Sequence, residues 1–417
     1  MINYAPKLTF GNNIADWQER INVSRMREER AARARHIMRK YQIPTLLVAG
    51  EENVRYLTGL RGPAYDPQLR YVLFFAEHEP VIFEHAGYFH YLPEEAPWFK
   101  NYRIARSWFG GAPGAAASQK SADQFASDIY EEIKSRGLVG EKVGVIGIDN
   151  LGVSALEKKT LNCIPSRPLL MEARSIKTKD EINCLRMVAS IVESAAYKMW
   201  EALKPGIRDT ELDFIVNQAT VAAGADGYRS LNIHTGPLSF PRGMQGTGRI
   251  IQTGDLVYVA WCGGISYLGY RSCIYRTFIV GRKPNEKEKD WYKILLERVN
   301  SVIEAIKPGA TTADVAQHLP PASKWGYKHE EEVLSIEFAH GLGMGPMGGG
   351  YDQPVINRLW SLENPQVIEQ GMAMAIECAE GEPGVGGVRL EDMLIVTEKG
   401  AELIDYIPRD EILLAPL

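Results

Sequence analysis

The chain has 417 residues, and single hydrophobic cores seldom grow past about 250–300 residues, so its length predicts two or three domains. Hydrophobic residues make up 45% and charged residues 24%, with a formal net charge of -5. These values are ordinary for a globular enzyme, and they give no electrostatic reason to expect nucleic acid or an anionic membrane as a partner.

The sequence carries no recognisable targeting segment. The N-terminal residues lack a basic segment followed by an apolar run, and no stretch reaches ~18 consecutive apolar residues, so we expect neither a signal peptide nor a transmembrane helix. The five cysteines are widely spaced and odd in number, with no Cys-x-x-Cys pair. This pattern is typical of a reducing compartment, and we predict a cytoplasmic protein.

The first part of the chain alternates strand-like apolar runs with helical segments. A mostly solvated helix rich in Arg and Glu is predicted over 18–41. Buried strands are predicted at 45–50 and 142–149, with a helix over 123–136. This alternation predicts an α/β domain over 1–174.

The second part, 175–417, contains a repeated order of elements. Thr178, followed three residues later by Glu181, predicts a capping box at the start of a long helix. The order helix, KPG, helix, strands then occurs twice, with the KPG tripeptides at 204–206 and 307–309. We interpret this order as an internal duplication, which makes one α+β domain of two similar halves with a site between them.

Three motifs in the second part carry the candidate chemistry. They are GDLVYVAWCGGISYLGYRSCIYRTF (254–278), EFAHGLGMGP (337–346) and GMAMAIECAEGEPGVGGVRLEDMLIVTEKGAELI (371–404). Together they resemble the creatinase, aminopeptidase P and methionine aminopeptidase superfamily, which has the pita-bread fold. The resemblance covers most of the chain, and it implies a creatinase-type N-terminal domain, a pita-bread catalytic domain and a homodimer.

The resemblance also implies a set of metal ligands. In metal-dependent members, two Asp, one His and two Glu bind the ions. The His corresponds to His340 and the two Glu to Glu377 and Glu391, but the two Asp correspond to Cys262 and Cys273. The His and the two Glu supply only two negative charges, which is too little hard-ligand charge for two ions ~3.5 Å apart.

The role of the two cysteines is open at this point. Strand alternation places Cys273 on the face of Tyr275, and with Cys262 opposite it the thiols complete a Cys2His site suited to one Zn or Fe ion. Alternatively, the cysteines only fill the space of the aspartates, and the site works without metal, as creatinase does. A third hypothesis makes a thiolate the nucleophile, with His340 as its base.

We expect no cofactor, with one Zn or Fe ion as the alternative. Without a cation, two neighbouring carboxylates raise the pKa of one of them, so that one Glu acts as general acid and the other as base. The predicted catalytic residues are therefore His340, Glu377 and Glu391. If an ion is present, its ligands come from these three residues together with Cys262 and Cys273.

A further set of polar and aromatic side chains is predicted to contact the substrate. These are Cys262, Cys273, Trp261, Tyr275, Arg389, His234, Arg61, Arg70 and Tyr351. Arg389 can pair with Glu391 or with the substrate, and the Gly-rich segment 344–354 is predicted to be a flexible loop over the site. The catalytic His of creatinase aligns near Gly243.

We predict from the sequence a hydrolase of a small polar non-peptide substrate that cleaves a C–N bond as creatinase does. A second hypothesis is a lyase that acts on a small zwitterion or acid with one bound metal. A third is a peptidase resembling X-Pro aminopeptidase, and a fourth is a non-catalytic scaffold of the same fold.

Overall fold

The computed structural model describes residues 18–61, 67–228, 231–241, 243, 246–262, 264–333, 337–345 and 351–415. The chain divides into two compact units. The first unit contains residues 23–174, and the second contains residues 175–417 together with the segment before residue 23. None of the described helices combines the length and apolar composition needed to cross a membrane.

The first unit is a mixed α/β domain. Its strands are β1 (Thr45–Ala49), β2 (Arg70–Phe75), β3 (Val81–Glu84), β4 (Tyr102–Ile104), β5 (Lys142–Ile146) and β6 (Asn162–Pro165). Its helices are α1 (Val23–Lys40), α2 (Glu51–Thr58), α3 (Leu92–Glu95), α4 (Ala115–Lys134), α5 (Asn150–Lys158) and α6 (Arg167–Ser175). The six strands form one sheet in the order β4-β3-β2-β1-β5-β6.

The predicted strands at 45–50 and 142–149 correspond to β1 and β5, which pair in parallel. The helix predicted over 123–136 begins earlier, at Ala115, because alanines favour helix and Gly114, with φ at 89°, turns the chain into it. The helix predicted over 18–41 begins at Val23, and only part of it is solvated, since Met26, Arg30 and Ala34 are buried.

The second unit is built on a large, mainly antiparallel sheet. Its helices are α7 (Lys179–Ala202), α8 (Asp209–Ala222), α9 (Glu286–Ala305), α10 (Thr312–Ala316) and α11 (Arg358–Ser361). Its strands are β7 (Asn232–Thr235), β8 (Leu256–Ala260), β9 (Ser266–Tyr267), β10 (Tyr270–Arg271), β11 (Tyr275–Ile279), β12 (Phe338–Gly341), β13 (Asp352–Ile356), β14 (Ala373–Glu382), β15 (Gly386–Thr397), β16 (Gly400–Leu403) and β17 (Leu413–Leu414).

The main path through this sheet is β13-β12-β14-β15-β11-β8-β7, with β16 on β15 and β17 on β11. Helices α7 and α8 precede the strands of one half, and helices α9 and α10 precede those of the other, as the duplicated order predicts. Leu295 and Val299 of α9 are fully buried, in one core with Ile376 of β14 and Leu390 of β15. This packing supports β14 and β15, the central strands that carry Glu377 and Glu391.

The predicted capping box at the start of α7 is confirmed. The hydroxyl of Thr178 accepts a hydrogen bond from the backbone N–H of Glu181 at 3.2 Å, and the Glu181 carboxylate accepts one from the backbone N–H of Thr178 at 2.7 Å. We expect Thr178→Ala to lower the free energy of unfolding by about 1 kcal/mol, measured by urea titration. Thr178→Ser keeps the hydroxyl and should preserve most of the stability; equal losses in the two variants would contradict the capping role.

The predicted hairpin around Cys273 differs from the structure in one respect. Strands β8 and β11 pair as expected, but the second strand is broken between Arg271 and Tyr275. Leu268 and Gly269 turn the chain at positive φ into the small β9–β10 hairpin, and the backbone N–H of Arg271 donates to Gly343. Cys273 therefore lies in a link between strands and not within a continuous second strand.

Arg276 anchors the centre of the sheet from β11. Its guanidinium is fully buried and lies 2.6 Å from Asp405 and 3.0 Å from Asp392. It also donates to the backbone carbonyl of Glu391 at 2.6 Å. One buried cation thus connects β11, β15 and the segment that follows β16.

Glu193 of α7 is a buried acid whose carboxylate accepts a hydrogen bond from the backbone N–H of Tyr406 at 2.8 Å. Burial is the main cause that raises the pKa of Glu193 to about 8, from an ordinary value of 4.5. Between these two pH values the folded protein binds more protons than the unfolded chain, so this residue makes stability fall as the pH rises.

We expect Glu193→Gln to raise the melting temperature by a few degrees at pH 9 and to change it little at pH 4, where the acid is protonated in both states. Thermal unfolding followed by circular dichroism at the two pH values measures this difference. Glu201→Gln, at the exposed end of the same helix, is the control. An equal shift at both pH values would show that titration of Glu193 is not its cause.

Candidate active site

Three neighbouring strands bring the predicted catalytic residues together. Glu377 of β14 lies directly opposite Glu391 of β15, so the two carboxylates share one face of the sheet. His340 of β12 reaches the same place from the other side of β14. All three are buried, and one ligand atom from each lies within 4.8 Å of the others.

His340 is held in a defined orientation. Its Nδ1 lies 3.1 Å from the carbonyl oxygen of Gly341, and its Nε2 lies 3.3 Å from Oε1 of Glu391. The contact with Gly341 places a proton on Nδ1, and it leaves Nε2 facing Glu391. The ring of Tyr351 packs on the imidazole at a centroid distance of 4.2 Å. The structure thus places Tyr351 at the site, as predicted from the sequence.

Both cysteines converge on Glu391. The Sγ of Cys262 donates to Oε2 of Glu391 at 3.0 Å. Cys273 interacts with Cys262, with His340 and with Glu391. The two sulfur atoms and an oxygen of Glu391 lie within 4.8 Å of one another. The five residues named from the motifs therefore meet around one carboxylate.

Burial and neighbouring charges shift the titration of these groups. Burial, followed by the neighbouring Cys273, raises the pKa of Cys262 well above its ordinary value. Burial opposes ionisation of Glu391, but the neighbouring imidazole of His340 lowers the pKa of Glu391 below its ordinary value. Burial disfavours a charge on His340, yet Cys273 and Glu391 raise the pKa of His340 to about 10. In the ion-free site, the charges of His340 and Glu391 stabilise each other.

Arg389 pairs with Glu377, whereas the sequence suggested Glu391 or the substrate as its partner. Arg389 lies opposite Ala379 on β14, which makes Glu377 its diagonal neighbour on the same face of the sheet. Its guanidinium also donates to the carbonyl of Pro241 at 2.7 Å and lies over the ring of Tyr275 at 5.2 Å. Arg389 and Tyr275 therefore form a wall that orients Glu377.

His234 is buried beside this wall. Its imidazole stacks on Tyr258 at a centroid distance of 5.2 Å, and the guanidinium of Arg389 lies 5.7 Å from the same tyrosine ring. A Cβ on residue 243 would lie only 1.7 Å from Cε1 of His234. His234 thus fills the space next to Gly243, where the sequence aligns the catalytic His of creatinase.

Trp261 and Arg70, which are predicted substrate contacts, are buried among other residues. Trp261 is fully buried and packs against Phe278 in the core, because alternation along β8 places it on the face of Val257 and Val259, opposite to that of Cys262. Arg70 is buried in the first unit, where it pairs with Glu84 and donates to the carbonyl of Arg61. These contacts favour structural roles for Trp261 and Arg70.

Arg61 is exposed, and it lies in the first unit at the edge of the described residues. Part of the predicted Gly-rich loop, 346–350, lies outside the described residues. Two contributors to the site, Tyr258 and the carbonyl of Gly341, were missed from the sequence. Alternation along β8 places Tyr258 on the face of Ala260, which is a usable signal, whereas a backbone carbonyl leaves no mark in the sequence.

Two family models match this chain. The model described as metallopeptidase family M24 matches residues 183–398, and the creatinase/prolidase N-terminal domain matches residues 30–188. These matches confirm the predicted superfamily and fold class, an α/β N-terminal domain followed by a pita-bread domain.

Individual relatives agree with these matches. The Xaa-Pro dipeptidase of Pyrococcus furiosus is 29% identical over 68% of this chain and 78% of its own length. The uncharacterized peptidase YqhT of Bacillus subtilis is 27% identical over 91% of this chain and 98% of its own length. The structure of an Xaa-Pro dipeptidase from Bacillus anthracis has a TM-score of 0.73 and 25% identity, covering 94% of this chain and 100% of that one.

These findings correct two predictions. The prediction of a creatinase-type hydrolase of a non-peptide substrate is wrong, because the relatives include Xaa-Pro dipeptidases. The prediction of a site without cofactor is also wrong, because the matching family is one of metallopeptidases. The prediction of a site without cofactor counted the charge of the carboxylates only. It gave the two thiols no charge as ligands.

The residues present fit a metal centre. Among the described residues, the possible ligands form two groups of three that share Glu391, one with Cys262 and Cys273 and one with His340 and Glu377. Nε2 of His340 and Oε1 of Glu391 are buried and face each other without an aligned hydrogen bond. Bound ions would satisfy both atoms.

The family model matches more than half of the 417 residues, and its matched range contains all five candidate ligands. This chain belongs to metallopeptidase family M24.

Proposed function

We propose that this chain is a metal-dependent peptidase that hydrolyses dipeptides of the form Xaa-Pro. The observation that carries this proposal is the convergence of His340, Glu377 and Glu391 with two thiols in a buried cluster that fits metal ions. The substrate class comes from the relatives, which include Xaa-Pro dipeptidases.

Bound ions would be held by Cys262, Cys273, His340, Glu377 and Glu391, and they would supply a Lewis acid for the peptide carbonyl and an activated water. The chain's own residues prepare the site for this chemistry. Arg389 fixes the position of one oxygen of Glu377. Nε2 of His340 and Oε1 of Glu391 lie 3.3 Å apart, and both would be ligands of the bound ions.

The aromatic residues around the cluster limit the access of water. Tyr351 and Phe338 pack on the imidazole of His340 at centroid distances of 4.2 and 5.5 Å. Tyr258 and Tyr275 cover the guanidinium of Arg389. Electrostatic interactions in such an enclosed site are stronger than in bulk water. The aromatic rings around the cluster also offer an apolar surface to a proline ring.

The test is a comparison of paired dipeptides with the full chain. Ala-Pro and Leu-Pro are incubated with protein loaded with Mn²⁺, Co²⁺ or Zn²⁺, and the reversed dipeptides Pro-Ala and Pro-Leu serve as matched controls. We expect release of free proline from the Xaa-Pro pair at a rate well above that of the reversed pair. No turnover of any Xaa-Pro dipeptide with any of the three ions would overturn the proposal.

We also infer that the chain works as a homodimer in the cytoplasm and that its only substrates are small molecules. The superfamily resemblance supports the homodimer, and the dispersed cysteines, which form no disulfide among the described residues, support the reducing compartment. Light scattering coupled to size-exclusion chromatography should give twice the mass of one chain. The mass of a single chain would remove the dimer from this proposal.

A further inference from the structure

We propose that Cys262, Cys273 and Glu391 form a thiolate-containing position for a thiophilic divalent ion such as Zn²⁺, next to a second ion held by His340, Glu377 and Glu391. The first position would select Zn²⁺ over Mn²⁺ or Mg²⁺. The inference concerns the ions that the site accepts, so it does not depend on the peptide substrate proposed above.

The register of the sheet brings the two thiols together. Ala260 of β8 pairs with Tyr275 of β11, and the backbone N–H of Trp261 continues this pairing by donating to Ile274 at 2.9 Å. Two residues beyond the last strand pair, Cys262 and Cys273 therefore lie opposite each other. The pairing of β8 with β11, continued by Trp261 and Ile274, thus holds the backbone of the two cysteines that carry these sulfur atoms.

Glu391 completes the group from the neighbouring strand. It pairs with Tyr275 across β11 and β15, and its Oε2 lies 3.0 Å from the Sγ of Cys262. Cysteines that merely filled space would need no buried carboxylate between them. Instead, three possible ligand atoms converge here, the two sulfur atoms and one oxygen of Glu391. The other oxygen of Glu391 faces Nε2 of His340 without an aligned hydrogen bond.

The donor chemistry sets the preference among ions. Thiolates bind Zn²⁺ strongly, whereas Mn²⁺ and Mg²⁺ favour carboxylate, carbonyl and water oxygens. The resemblance implies two aspartates at these positions, so the exchange of oxygen for sulfur changes two ligands of the same ion. The second group keeps an imidazole and carboxylates, which suit a wider range of divalent ions.

The first test uses Co²⁺ alone as a spectroscopic probe of the purified full chain. We expect a thiolate-to-cobalt charge-transfer absorption in the near ultraviolet, reduced in Cys262→Ser and in Cys273→Ser and lost in the double variant. Cys163→Ser, which alters a cysteine of the first unit, should leave the band unchanged. Added Zn²⁺ should abolish the band, and added Mn²⁺ should not.

The second test restores oxygen ligands. The double variant C262D/C273D should lose the cobalt–thiolate band and gain tight Mn²⁺ binding, measured by electron paramagnetic resonance of free Mn²⁺. Absence of the charge-transfer band in the wild-type chain, with Co²⁺ bound or unbound, would overturn the inference, and so would displacement of Co²⁺ by Mn²⁺. The absorption and resonance measurements need no peptide, so their results remain valid if the dipeptidase assay fails. A negative result in these measurements likewise leaves the dipeptidase proposal standing.

Discussion

Replacing Glu391 by Gln is expected to lower kcat/KM for Xaa-Pro dipeptides by about a thousand-fold or more while the fold survives. Glu391 is the residue shared by both groups of candidate ligands, and it faces Cys262 with one oxygen and His340 with the other. The amide keeps the shape of the side chain but removes its charge. Both ion positions are therefore weakened by one substitution.

The measurement is steady-state kinetics at saturating metal, together with circular dichroism to verify the fold. Glu382→Gln is the matched control, because Glu382 lies on β14 but is exposed and pairs with exposed Lys287. We expect the control to retain wild-type activity. Full activity in Glu391→Gln would show that the reaction takes place elsewhere in the molecule.

Replacing Arg276 by Met is expected to have the largest effect on stability, a loss of about 3–5 kcal/mol in the free energy of unfolding. The substitution leaves Asp392 and Asp405 buried without their shared cation. It also removes the donor to the backbone carbonyl of Glu391. Part of the loss should disappear at low pH, because protonation of Asp405 removes its charge.

Urea unfolding at pH 5 and pH 8 measures this effect. Arg39→Met is the control, since Arg39 forms an exposed pair with Glu77 and such pairs contribute about 0–1 kcal/mol. Burial raises the pKa of Asp405 to about 6 although Arg276 opposes this shift, so the loss should be larger at pH 8 than at pH 5. Similar stability losses in the two variants would contradict the anchoring role of Arg276.

The candidate site was readable from the sequence where its residues lie inside contiguous motifs. His340, Glu377, Glu391, Cys262 and Cys273 were all named from the motifs, and the structure places them together. Their roles in catalysis and metal binding remain proposals. The superfamily and the α/β and pita-bread domains were also predictable, because long periodic segments and several motifs point to the same fold.

Other features depend on strand register, which cannot be read from the sequence motifs. Arg389 pairs with Glu377 because the β14–β15 register makes them diagonal neighbours, while adjacency in sequence suggested Glu391. Trp261 points into the core because the β8–β11 register places it on the face of Phe278, opposite to that of Cys262. The absence of a cofactor was predicted from a count of carboxylates, and this count ignored sulfur as a charged ligand.

The origin of the candidate ligands within the second unit has a mechanical consequence. Cys262 and Cys273 come from one half of the duplicated domain, and His340, Glu377 and Glu391 come from the other. An ion bound by the two cysteines and Glu391 cross-links the two halves, so ion binding adds to the cohesion of the domain by mass action. Stripping the ions with a chelator would then loosen the contact between the halves as well as stop catalysis.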